Sequence, residues 1–455
     1  MWYYRVMGRR GFRWCLFLGL AWAVGSCASQ PGHPVVHVGP DAPLDLARFP
    51  AAAAPVSPSS LQRAVASTRG PVRIVLAPGR YRLAPSPYVD PTCGNCVEPG
   101  ESVPGTVGLR VRGAGILIEG AHRDSVVIET HAGYGILFDG CADCVLRGVT
   151  VTGGVRDPDD RATNGAVVVR SGRVTIDNCR LGRNVGDSAT VAATVVGIAG
   201  VVGREGSDIR LEDCVVEGNS WDGVALYRGA RARIEGNVID GLDRARGGVV
   251  GGGRGVGIGL TWDARAVVEG NVVRNYWKGI GVFVDARAEV RHNVVEDILT
   301  WGLAYWGPEG SRPWAVMEEN AVYRTGACGA SVRREPGPEV GREPGPGADE
   351  TPTGDPAPVA GRLVGNVLLR TGQDTRYDSG EPYCMQRPIA RTMVPPDFLI
   401  QGNLVHDNRQ PGPWPLEPEL DAEGFRAAVA PLLARLGGHP VTARSRFVQD
   451  LDPGN

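Results

Sequence analysis

Lysine is almost absent from this chain: of 48 basic residues 47 are arginine, and the single lysine is Lys278. The arginine bias reads as genomic base composition, so the rarity of lysine proves little by itself. A net charge of −2 provides no basic excess and excludes a nucleic-acid partner. Beyond the first thirty residues no apolar run approaches the ~20 residues of a membrane-spanning helix. Collagen periodicity is also missing, although glycine numbers 65, so the glycines signal many tight turns.

The N-terminus carries Arg5, Arg9, Arg10 and Arg13, then the apolar run Trp14 to Val24 (WCLFLGLAWAV), too short to cross a bilayer. Val24-Gly25-Ser26-Cys27 resembles a bacterial lipobox. The resemblance implies a signal peptide over residues 1–26, lipidation of Cys27 and a membrane anchor through that lipid. An ordinary secretory signal with an incidental cysteine is the other reading. Ala28, in place of an aspartate, implies an outer-membrane or cell-surface location, with the periplasm as the alternative. Export means an oxidising compartment, so Cys93-Gly-Asn-Cys96 and Cys141-Ala-Asp-Cys144 point to disulfides rather than tetrahedral zinc, the pairing left open.

The chain repeats itself. Trp262 to Asn275 (WDARAVVEGNVVRN) and Val284 to Asp297 (VDARAEVRHNVVED) share one pattern at an offset of 22 residues. Ile176-Asp-Asn-Cys179, Leu211-Glu-Asp-Cys214, Ile234-Glu-Gly-Asn237, Met317-Glu-Glu-Asn320, Leu363-Val-Gly-Asn366 and Ile400-Gln-Gly-Asn403 follow the same template. Steps of 22 or 23 residues recur, stretching to 34, 37 and 46 where residues are added, as expected of one structural turn carrying loops of variable length. Within each copy apolar residues alternate, which is strand periodicity. A turn of about 22 residues made of short strands is a parallel β-solenoid, stacking at ~4.8 Å, with the recurrent asparagine forming a ladder.

The pattern over residues 72–408 resembles the right-handed parallel β-helix proteins of the pectin-lyase-like superfamily. That resemblance implies an all-β, right-handed single-stranded β-helix of about ten coils, and leaves activity open. The predicted organisation is a Pro/Ala-rich tether over residues 27–58, the helix over 59–408 with a disordered insertion at 334–358, and a C-terminal helical cap and tail over 409–455. Ser59 begins a short capping helix, and the stripe Phe425, Val429, Leu432, Leu433 and Leu436 predicts a helix that plugs the far end.

Four segments start a strand on glycine: Gly135-Ile-Leu-Phe-Asp139, Gly223-Val-Ala-Leu-Tyr227, Gly279-Ile-Gly-Val-Phe283 and Gly302-Leu-Ala-Tyr-Trp306. Alternation turns Tyr227, Phe283 and Trp306 outward, with Trp221-Asp222, Trp277-Lys278 and Trp301 just before the glycines. Rows of rings beside small residues suit sugar faces, with Asp222 and Lys278 at hand for hydroxyls or a uronate carboxylate. Loops packed over the rings are the competing reading.

A second candidate is the turn Val155 to Asn164 (VRDPDDRATN), where Arg156, Asp157 and Asp160 could supply acid–base chemistry or the carboxylates could hold Ca2+. Asp157-Pro-Asp-Asp160 is similar to the DPHD motif of β-helix mannuronan C5-epimerases, but Asp159 stands where those have histidine, the proposed base. No histidine lies in a polygalacturonase-like Gly-His-Gly element. The expectation is a monomeric exported lipoprotein that binds an acidic polysaccharide, with lyase-like modification as its extension. A non-catalytic adhesion solenoid binding a protein partner is the alternative.

Overall fold

A computed structural model describes residues 33–41, 58–94, 96, 100–187, 196–242, 254–308, 310–334, 360–377, 387–410 and 417–451. Cys27 and residues 1–26, the loop 243–253, most of the insertion, and Cys384 lie outside them.

The described strands form three sheets of 12, 11 and 11 strands, each strand pairing with its counterpart one turn along the chain. Pairing is parallel throughout except for the hairpin Ser86–Asp90 with Val103–Val111. The eleven strands of the second sheet mark eleven turns, close to the expected ten. First-sheet strands such as Arg231–Glu235 alternate exposed and buried residues, so Ala232 and Ile234 enter the core while Arg231 and Arg233 face out.

The turn between the first and second sheets explains the template. Its third residue adopts a left-handed conformation: Asp213 (φ 50°), Gly236 (64°), Gly270 (66°), His292 (53°), Glu319 (52°), Gly365 (64°) and Gly402 (65°). Glycine accepts that geometry at no steric cost, and short polar residues tolerate it best among the rest. The fourth residue then points inward. Nδ2 of Asn237 donates to Oδ1 of Asn271 at 2.9 Å, and Asn271 to Asn293, Asn293 to Asn320, Asn320 to Asn366 and Asn366 to Asn403 repeat the contact at 2.9–3.0 Å. Each Oδ1 also accepts the backbone N–H of the preceding asparagine. Cys214 and Cys179 continue the file, the Cys179 N–H reaching Cys214 Sγ at 3.3 Å. One buried amide per turn thus satisfies two donors that the bend would otherwise orphan.

One expectation needs correction. Val35–Val38, placed in the tether, is an edge strand that pairs with Val72–Leu76, its apolar run adding one rung to the first sheet. The C-terminal helix α2 (Ala422–Gly437) is present at the far end, where Phe425 stacks on His406 of the last second-sheet strand, and it also runs along the flank. Its Phe425, Val429, Leu432 and Leu436 pack on Val272, Val294, Ala321 and Val367, the outward-facing file of the second sheet. An apolar file on a solvent face needs a cover, and α2 with α3 (Arg446–Leu451) supplies it. At the N-terminal end helix α1 (Ser60–Ala66) caps the core, burying Leu61 and Val65 behind a Ser59–Gln62 capping box. Disulfides close Cys93–Cys96 and Cys141–Cys144. No helix among the described residues is long and apolar enough to cross a membrane.

Candidate functional site

Four neighbouring strands of the third sheet carry the site: Val224–Leu226, Val256–Leu260, Lys278–Phe283 and Leu303–Gly307. Their register aligns Ala225, Gly259, Gly281 and Ala304 as an outward file of small residues. Four rungs span about 14 Å at the usual strand spacing. Larger residues stand on both sides of this floor. Before the strands come Trp221 and Asp222, Trp277 and Lys278, then Trp301; after them come Tyr227, Trp262, Phe283 and Trp306.

Phe283 pairs in register with Trp306, their ring centroids 6.3 Å apart and nearly perpendicular. Trp301 meets Trp306 edge-on at 6.2 Å. The far edge of the Phe283 ring lies over Gly281, where a Cβ would sit only 2.1 Å from Cζ, so the glycine makes room for the ring. Ala304, Ala327, Cys328 and Ala390 form the bed beneath Phe283, Trp306 and Tyr377. Trp277 is 43% exposed while Trp301 is 4% exposed, so one ring faces solvent and the other supports the cluster.

Lys278 lies among these rings. Its Nζ is 4.4 Å from the Trp277 centroid, 4.6 Å from Trp301 and 5.7 Å from Phe283 across the floor. Aromatic faces attract an ammonium through the ring quadrupole and do not neutralise its charge.

Asp222 is buried beside the same edge. Its Oδ1 accepts the Val256 N–H at 2.7 Å, and Gly255 (φ 68°) brings its backbone so close that a Cβ there would lie 2.5 Å from Oδ1. Burial pushes the carboxyl up to about 7, opposed by the Val256 N–H and by the charge of Lys278. Asp222 therefore gains or loses a proton near neutrality, as a general acid or base requires. The Arg254 guanidinium lies 5.3 Å over the Trp221 ring on this edge.

Tyr227 does not touch the Phe283–Trp306 pair. Its ring lies 5.5 Å from that of Trp262, tilted by 42°, and packs with the cluster under the hairpin, and Thr261 takes the intervening register position after Leu260. Trp262 was missed in the repeat. It follows the strand in a left-handed turn (φ 51°) at the position of Val284 in the next copy, and that alignment was the available signal.

The Asp157 turn lies elsewhere, over earlier rungs. Asp157 is buried, its Oδ1 accepting from Thr106 at 2.7 Å and its N–H donating to Asn164. Burial raises its carboxyl, against the hydrogen bonds donated by Thr106 and by Asn164 Nδ2 and against the charge of Arg156. The buried Arg156 guanidinium binds the carbonyls of Val196, Asp157 and Asp159 and lies 3.5 Å from the exposed Asp160. Asp159 pairs with Arg161. The turn is thus held by its own contacts, and its residues are not brought to Lys278. Among the described residues no group of three or more His, Cys, Asp or Glu is placed to hold a metal ion.

Among curated proteins no sequence match is found. Three solved structures are similar in chain course. The A-module of the Azotobacter vinelandii mannuronan C-5 epimerase is 14% identical over 77% of this chain and 84% of that one, with a TM-score of 0.45. The Dettilon tailspike protein is 15% identical over 82% of this chain, which spans only 63% of the tailspike, at 0.46. A mannuronic acid specific polysaccharide family 6 lyase from human gut microbiota is 10% identical over 92% and 98%, at 0.41. Residues 105–256 match the family model described as a right handed beta helix region. With its three parallel sheets and ladder turn, the chain is a right-handed parallel β-helix.

Proposed function

We propose that the third-sheet face binds an acidic polysaccharide along the helix axis. The observation that carries this reading is Lys278, the one lysine of the chain, held between Trp277 and Trp301 beside the Phe283–Trp306 pair. A uronate unit offers two surfaces, an apolar ring face and a carboxylate. Trp277 and Phe283 suit the first and the ammonium suits the second. Titrating polygalacturonate and neutral dextran into the protein tests it: polygalacturonate should bind and dextran should not. Equal affinity for both would remove the role of Lys278.

Asp222 favours a second reading, lyase-like modification at the same face. A base would remove the proton beside the uronate carboxylate, Lys278 would stabilise the charge on that carboxylate, and the electron pair would form a C=C bond as the glycosidic oxygen leaves and takes up a proton. Asp222, its carboxyl raised by burial to about 7, is suited to one of those transfers. The product is an unsaturated uronate, so ultraviolet absorbance during incubation with polygalacturonate reads the step. Binding without that signal leaves a non-catalytic surface protein. The same reading places the chain outside the cytoplasm, anchored through Cys27. Labelled palmitate should enter the wild type and not Cys27→Ser.

A further inference from the structure

The repeated Ala-Arg-Ala, at 230–232, 264–266 and 286–288, has an arginine that the coil itself does not use. Arg231, Arg265 and Arg287 occupy the same outward position on three successive strands of the first sheet, directly in register. Their backbones make the ladder hydrogen bonds, which almost any strand residue would make as well. All three side chains are exposed, and among the described residues none makes a hydrogen bond, ion pair or ring contact.

The neighbouring file shows what an ordinary surface of this fold does with charge. Arg210 pairs with Glu212, Arg233 with Glu235, and Glu289 with Arg291 at 2.8 Å. Arg231, Arg265 and Arg287 make no such ion pair among the described residues, although Asp208 stands in register beside Arg231 and Glu289 also lines the groove. Like charges directly opposite across parallel strands repel, so a column of three at ~4.8 Å spacing is unfavourable unless an anion satisfies it. The column begins after Asp208 and ends on the half-buried Trp314, both in register with it. A shallow groove of about 340 Å³ runs along it.

We infer that this file is a second polyanion track, distinct from the third-sheet face and on another side of the helix. Its ligand is a linear acidic polysaccharide lying along the axis, its carboxylates on the guanidinium column and one sugar ring against Trp314. The column is one residue wide and closed by an aromatic ring, which fits a single polymer strand better than a planar lipid surface. Two tracks on one rigid rod would hold two polymer strands, or two stretches of one, at fixed separation.

The test titrates short oligogalacturonides into the full chain, into Arg231→Gln/Arg265→Gln/Arg287→Gln, and into Lys278→Met. The triple variant should lose one of two binding events, with at least a tenfold weaker affinity at that site and a flatter dependence on salt. It should also unfold at the same or a higher temperature, since repulsion is relieved. Unchanged stoichiometry and salt dependence in the triple variant would overturn the track. So would loss of binding to anionic phospholipid vesicles with oligogalacturonide binding intact, which would make the file a lipid surface. If Lys278→Met behaves as wild type while the triple variant loses its event, the third-sheet reading fails and the track stands.

Discussion

Phe283 and Trp306 sit on adjacent rungs of the third sheet, 6.3 Å apart and nearly perpendicular, with Lys278 reaching across Gly281 toward the first of them. The pair is supported from beneath by Ala304 and Ala390, whereas Trp277 is 43% exposed. Exposure on that scale separates binding from stability.

Trp277→Ala should therefore weaken polygalacturonate binding by about tenfold, the range of one lost ring contact. Its effect on urea unfolding should stay within about 0.5 kcal/mol, as for other exposed positions. Trp306→Ala should lower both quantities, because its ring also packs the cluster. Unfolding and binding measured on the same preparations distinguish the two cases.

The ladder yields a stability prediction. Asn293 Oδ1 accepts from both Nδ2 and the backbone N–H of Asn271, and its own Nδ2 donates to Asn320. Asn293→Ala strands the buried backbone N–H of Asn271, whose Nδ2 keeps the Ile234 and Glu269 carbonyls, at a cost of about 1–3 kcal/mol. Asn293→Cys should cost less, since Cys214 already holds this position and accepts the Cys179 N–H through sulfur. Denaturant midpoints for the two variants check the order.

Stability should also depend on pH through two buried acids. Burial lifts Asp222 from 3.8 and Glu296 from 4.5, each to about 7. The folded state thus binds more protons than the unfolded chain between the ordinary and the raised values, so their contribution falls as pH rises from about 4 through about 7. Asp222→Asn/Glu296→Gln carries neutral groups at every pH. Relative to wild type it should gain stability between about pH 5 and about pH 8, read by urea unfolding at each pH. A constant difference would show that the two acids are not raised.

The coil was legible in the sequence because each turn repeats one steric demand, a left-handed residue followed by an inward amide, as in Gly270-Asn271 and His292-Asn293. Strand alternation likewise gave the pairing of Phe283 with Trp306. Where the chain leaves the repeat, that logic ends. The stripe of α2 shows that one face is apolar but not which surface it meets, and only the outward file Val272, Val294 and Val367 settles its place on the flank. Val35–Val38 is hidden among prolines, and its partner strand begins 37 residues after it starts. Trp262 escaped notice one residue beyond the register, in a turn. The raised Asp222 depends on its burial, and the close approach of Gly255 to it is revealed by no local pattern.

In the proposed function Lys278, held by its rings, receives the carboxylate of an acidic polysaccharide. Calorimetric titration of polygalacturonate into Lys278→Met, with Arg231, Arg265 and Arg287 already changed to glutamine, tests it most directly. Methionine keeps an apolar stem against Trp277 and Trp301 but removes the charge. The dissociation constant should rise by about tenfold to about a hundredfold, the worth of a charge-assisted contact, with the unfolding temperature unchanged. Equal affinity with and without the ammonium would contradict the account.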